Sequence, residues 1–201
     1  MNTFLKPLYL LHLLALAIGT EAQTLTTTFI AQLPPVVNET SGLALLDGQL
    51  LTHNDSGNPP ELYLIDPSDG SLLRTISVTN AVNNDWEDLA TDSTYLYVAD
   101  IGNNYGERQN LNILRIPLDS LRVKNSVTAE RIDFQYADQS SFSFNFFTNY
   151  DAEALVAGQN EIFLFTKNRG NLRSSLYPIP KSIGSHKVSK TDSINSQGLI
   201  T

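Results

Sequence analysis

The chain has 201 residues, a formal charge of −8 and no cysteine. It is long enough for one sizeable core, and no disulfide contributes to its stability. An excess of 21 acidic over 13 basic residues argues against nucleic acid or an anionic membrane as partner, because phosphate binding depends on clustered Lys and Arg.

In chain order, the first element is a targeting segment. A lone Lys6, an apolar run from Leu8 to Ile18 and a Thr20-Glu21-Ala22 end fit a secretory signal cleaved before Gln23. The run is too short to span a bilayer comfortably. The expectation is export to the periplasm or cell surface, no membrane insertion after cleavage, and one domain over 23–201. Cleavage removes Lys6 and Glu21 together and leaves the charge unchanged.

Beyond residue 22 no long segment has helical periodicity. Short runs of β-branched, aromatic and Leu residues, broken by Asp, Asn, Gly, Ser and Pro, predict an all-β fold. These runs repeat. Four segments align on a leucine: Glu39-Thr40-Ser41-Gly42-Leu43, Asp85-Trp86-Glu87-Asp88-Leu89, Asp151-Ala152-Glu153-Ala154-Leu155 and Asn195-Ser196-Gln197-Gly198-Leu199.

A second strand follows the first three leucines, at Gln49–His53, Tyr95–Ala99 and Ile162–Thr166. Each ends in a turn of one type, from Asp55, Asp100 or Asn168, with Gly57, Gly102 or Gly170 expected to supply a positive φ. Third strands are predicted at Leu62–Ile65, Ile113–Pro117 and Leu176–Pro180. More polar fourth strands are predicted at Leu73–Val78, Arg131–Tyr136 and Lys187–Thr191.

The leucines lie 46, 66 and 44 residues apart. A period in the forties with four strands per unit is the spacing of a β-propeller blade. The longer middle unit carries its surplus mainly in 137–147, either a flap over a central opening or an extra hairpin. Three units and the opening of a fourth fall short of the four to eight blades that close a propeller. A fragment of a longer ring is therefore expected, with Gln197–Thr201 beginning another strand.

The candidate chemistry lies before the leucines. Positions four and two before each hold Glu39 and Ser41, Asp85 and Glu87, Asp151 and Glu153, and Asn195 and Gln197. Residues two apart on a strand share a face, so each segment presents two oxygen-bearing side chains together. If the first strands line a common channel, these carboxylates converge, repel one another and raise their pKa values unless a cation compensates.

An all-oxygen set suits Ca²⁺, with Glu39, Asp85, Glu87, Asp151, Glu153 and the turn residue Asp100 as candidate ligands. Zinc is disfavoured, since only His53 and His186 remain in the mature chain. Equally, such residues cap strand ends and tight turns. Trp86 is expected to be packing. Arg108, Lys167, Arg169 and Arg173, near the turns, are expected on solvated surface, with binding of an anionic substrate beside calcium as the alternative.

The stretches Asp85-Trp86-Glu87-Asp88-Leu89-Ala90, Asp100-Ile101-Gly102-Asn103-Asn104 and Tyr150-Asp151-Ala152-Glu153-Ala154-Leu155 resemble exported bacterial β-propellers of the phytase-like and NHL-like kind. The Asp-Ala-Glu-Ala-Leu stretch is similar to the blade starts of calcium-dependent phytase propellers. This resemblance implies a six-bladed ring, monomeric when complete, with calcium in its channel. It implies either a binding module for an unidentified ligand or a calcium-dependent hydrolase of the phytase or lactonase type. A structural surface protein with solvated acids is the third possibility. The chain departs from phytases in lacking a recognisable cluster of phosphate-binding Lys and Arg beside the acids.

Overall fold

The computed structural model of the protein describes residues 27–199, so the signal segment expected at 1–22 lies outside the described residues. A 3-10 turn at Pro35–Val37 precedes the first of three strand sets. The first set is β1 (Thr40–Leu46), β2 (Gln49–Asn54), β3 (Glu61–Ile65) and β4 (Leu72–Val78). The second is β5 (Trp86–Thr91), β6 (Tyr95–Asp100), β7 (Asn112–Pro117), a short helix α1 (Leu118–Val123), β8 (Ser126–Val127) and β9 (Glu130–Tyr136). The third is β10 (Ala152–Ala157), β11 (Glu161–Thr166), β12 (Ser174–Pro180), β13 (Gly184–Val188) and β14 (Asp192–Ile194). Among the described residues no helix is long and apolar enough to cross a membrane.

The described strands form three sheets and no closed barrel. Each is an antiparallel meander beginning at one edge with β1, β5 or β10. Two sheets gain a fifth, parallel strand from the following set: β8 joins β4, and β13 joins β9. The Lys187–Thr191 expectation is corrected here. Lys187 and Val188 lie in β13, on the neighbouring sheet, and the third set's own fourth strand is β14. Polar composition concealed this, because each short strand is held by an edge it borrows rather than by an apolar face of its own.

The central strand β6 shows why the sheets stack. Its alternate residues Leu96 and Val98 enter a core shared with the first sheet, which includes Leu51, Leu62, Ile76 and Trp86. Tyr97 and Ala99 point the other way, into a core shared with Leu155, Leu164, Tyr177 and Ile179 of the third. A strand covered on both faces reads as a continuous apolar run, as Tyr95–Ala99 does. Each fully buried Leu or Val contributes about 1.5–3 kcal/mol. Helix α1 extends the first of these cores with Leu118 and Leu121.

The three starting edges meet. β1 packs beside β5, and β5 beside β10. The register is the same in all three: Leu43 pairs with Thr52, Leu89 with Val98, and Leu155 with Leu164, each after one extra residue in the first strand. The leucine alignment therefore identifies equivalent positions. The fourth aligned segment differs. Residues 195–199 form no strand, and the Gln197 amide turns back onto Asn195 Oδ1 at 3.3 Å.

The 137–147 surplus contains no strand and is not a hairpin. It folds onto the turn after β6: Gln139 Nε2 donates to Gly106 O at 2.7 Å, Asn145 N donates to Tyr105 O at 2.9 Å, and Phe144 stacks on Tyr105. Part of the middle unit's extra length is instead α1 and β8.

Candidate functional site

Five carboxylates gather where the three first strands meet. Asp55, Asp85 and Glu87 offer oxygens within 4.8 Å of one another, and so do Glu87, Asp151 and Glu153. Glu87 is the corner common to both triads. Asp85 and Asp151 immediately precede β5 and β10, while Asp55 immediately follows β2.

Glu87 and Glu153 owe their aim to β-bulges. The register slips between Trp86 and Asp88, and again between Ala152 and Ala154. A bulge leaves one residue unpaired and re-aims its side chain. It also shifts face parity, so Trp86 and Leu89, three apart, enter the same core, as do Ala152 and Leu155. Strict alternation thus brought the right side chains together by an incomplete argument. The equivalent residue of β1 is Ser41, whose hydroxyl donates to Glu87 O at 2.8 Å.

The floor is Gly102. A Cβ there would lie 2.2 Å from Glu87 Oε1 and 2.3 Å from Asp85 Oδ2, so only glycine lets both carboxylates rest on the backbone. Among the three turn glycines, Gly57 has the expected positive φ, at 75°. Gly102 and Gly170 do not, and close approach explains them instead: Gly170 faces Phe147 O and Asn149 Oδ1.

The charges do not balance evenly. Buried Asp151 is ion-paired with Arg169 and accepts a 2.7 Å bond from Asn103 N. Glu153 is paired with Lys167 at 2.8 Å. Arg108 pairs with Asp100, also at 2.8 Å. These three cations are 15–18% exposed, so they are built into the site rather than solvated as expected. Arg173 too is engaged, with Ser193.

Among the described residues, no Lys or Arg forms a salt bridge to Asp55, Asp85 or Glu87. Burial, followed by the fields of Glu153, Asp85, Asp55 and Asp151, pushes Glu87 up to about 9. Burial also raises Asp85, against the opposing pull of Arg108. It raises Glu153 as well, against its bond to Lys167.

Two expected ligands lie elsewhere. Glu39 belongs to neither triad, and its Oε2 accepts from Asn58 Nδ2 at 2.6 Å. Buried Asp100 is saturated: Oδ1 takes Asp85 N and Arg108, and Oδ2 takes Asn84 and Asn112. It braces the loop that carries Gly102 instead of facing the cluster.

Asp88 is a residue that the alignment left without a role. Its Oδ2 accepts from Leu155 N at 2.9 Å, tying β5 to β10, and its Oδ1 accepts from Leu89 N. His53 is equally structural. It donates from Nδ1 to Asn54 O and accepts at Nε2 from Gly42 N, which fixes the neutral tautomer, and burial lowers its pKa. Its ring packs edge-on against Trp86, which is a core residue as expected.

The donor set fits a hard cation. Three carboxylates from two segments, without a countercharge in salt-bridge range, offer up to six oxygens, the lower end of the calcium range. The second triad is already partly neutralised by protein cations. Asp55 is expected from sequence only as a turn residue and not as a ligand, because it follows a strand rather than preceding a leucine. No family model matches the chain, and no curated protein matches it.

Proposed function

We propose that the chain is part of an exported β-propeller whose three sheets are consecutive blades. In this reading it acts as a binding module holding Ca²⁺ through Asp55, Asp85 and Glu87 on the inner face. The common register, the meeting of β1, β5 and β10, and the strand that the second and third units each lend to the preceding sheet support the blade reading.

One observation carries the metal reading. Glu87 stands between two acid triads, yet only the Asp151–Glu153 side has its own cations. A divalent ion offsets the remaining repulsion and would be held by side chains resting on Gly102. Such an ion polarises oxygen ligands and lowers the pKa of bound water. The protein's part is to orient three carboxylates and to keep Lys167 and Arg169 on the other two.

Calcium titration followed by thermal unfolding tests this. The melting temperature should rise with calcium and fall back with chelator, and Glu87→Gln should remove most of the response. A melting temperature indifferent to both reagents rejects the proposal. Lys167 and Arg169 beside the acids also keep the hydrolase alternative in play, which calcium-dependent turnover of phosphoesters or lactones would establish.

A further inference from the structure

An open cleft of about 250 Å³ adjoins the cation triad and shares Asp85 with it. Ser56, Asn84, Tyr105 and Glu107 are among its other walls. Tyr105 is the unusual member. It is 46% exposed, and Phe144 stacks against it at 4.7 Å with the ring planes 20° apart. The 137–147 loop holds both rings in place through the bonds from Asn145 N and Gln139 Nε2. An aromatic group presented to solvent on such a brace is a prebuilt platform.

The charges left unpaired on its walls have one sign. Arg108 spends its guanidinium on Asn110, Gly102 O and Asp100. The Asn103 amide donates to Tyr150 O, and the Asn104 amide donates to Asp85 Oδ2. Among the described residues, the Glu107 carboxylate and Asn84 Oδ1 have no side-chain donor bonded to them, while Asp85 has Asn104 at 3.3 Å and the neighbouring Ser56 hydroxyl. The free charged groups are therefore carboxylate oxygens, which repel a phosphate or carboxylate and ask for hydroxyl or ammonium donors. The Ser56 and Tyr105 hydroxyls can donate or accept.

We infer that this cleft takes one neutral pyranose ring, its C–H face against Tyr105 and its hydroxyls donating to Asn84, Asp85 and Glu107. The inference rests on the cation reading in one respect. A cation on the triad offsets the Asp85 charge, which removes the advantage of an ammonium. Hydroxyl oxygens remain acceptable, since they are themselves ligands for a hard cation. The volume lies below the usual range of about 300–1,000 Å³ for larger ligands, which suits a single ring or the end of a chain.

A panel of methyl pyranosides, with tetramethylammonium as the competing probe, tests this by saturation-transfer NMR on the calcium-loaded protein. At least one pyranoside should bind, and Tyr105→Ala should weaken it by roughly tenfold while Tyr105→Phe keeps it. The melting temperature and its calcium response should be the same in all three proteins. Failure of every pyranoside to bind, binding indifferent to Tyr105→Ala, or capture of tetramethylammonium alone overturns the inference. Because the calcium response is read separately, a sugar failure with that response intact leaves the cation reading standing. Loss of the response in the parent protein removes the cation reading itself.

Discussion

Glu87 and Glu153 occupy the same position in neighbouring first strands, each the extra residue of a β-bulge, yet only Glu153 has a lysine bonded to it. This asymmetry separates two kinds of acid in one cluster. Glu87→Gln should remove most of the calcium response, which for a ligand at a hundred times its dissociation constant is about 2.7 kcal/mol. Asp151→Asn should instead leave Arg169 without its buried partner and cost about 3–5 kcal/mol, with the calcium response retained. Calcium-dependent melting of both variants checks this, and a reversal of the two effects would refute the division.

The pH dependence of the metal-free protein follows from the same residue. Folding raises Glu87 from 4.5 to about 9. Between those values the folded state keeps a proton that the unfolded chain has released, so stability falls as pH rises through that window. Asp85 and Glu153 are shifted in the same direction. In chelator, the melting temperature should decline across this range, and Glu87→Gln should flatten the decline. Matching profiles for parent and variant would contradict it.

Gly102 and Gly57 separate two reasons for a glycine. Gly102→Ala forces a methyl group into the Glu87 and Asp85 carboxylates and should cost about 1–3 kcal/mol, with loss of the calcium response. At Gly57 a Cβ meets nothing within 4 Å, but φ is 75°. Gly57→Ala should cost about 1 kcal/mol through backbone strain alone and leave calcium binding intact. Equal losses of calcium affinity would show that close approach is not the cause at Gly102.

Asp88 links two sheets through one carboxylate. Asp88→Ala leaves the Leu155 amide without its acceptor, a loss of about 1–3 kcal/mol. Hydrogen exchange should quicken at Leu155 more than at Leu164, in the adjacent strand of the same sheet. Uniform quickening across the protein would indicate general destabilisation and not a lost link.

The strands were legible because apolar runs bounded by turn residues carry their own signal, and the leucine register held in three of its four segments. The convergence of Asp85, Glu87, Asp151 and Glu153 was also legible, since each pair recurs at fixed distance from its leucine. The bulges were not, because an extra residue leaves no mark in composition. Nor were the roles of Asp55, Lys167 and Arg169: they depend on which turns face one another across separate sheets. The borrowed strand β13 was assigned to its own unit for the same reason, since Lys187 and Val188 pair with Gln135 and Tyr136 of the neighbouring sheet.

Leu43 tests how far the repeat extends. It matches Leu89 and Leu155 in register, yet it is 60% exposed where each of those is 4% exposed. Leu45, two residues on, is 64% exposed. In the second and third sheets the position is covered by the preceding sheet; among the described residues the first sheet has only Val37 and its neighbours against part of that face. Leu89→Ala should therefore cost about 2–5 kcal/mol, as a buried large-to-small change does. Leu43→Ser with Leu45→Ser should change stability by only about 0.5 kcal/mol per site. The same pair should reduce binding of a hydrophobic dye, because contiguous exposed apolar surface is what such a dye reports. A large loss of stability in the double variant would mean that the face is already covered, and the equivalence of the three interfaces would then fail.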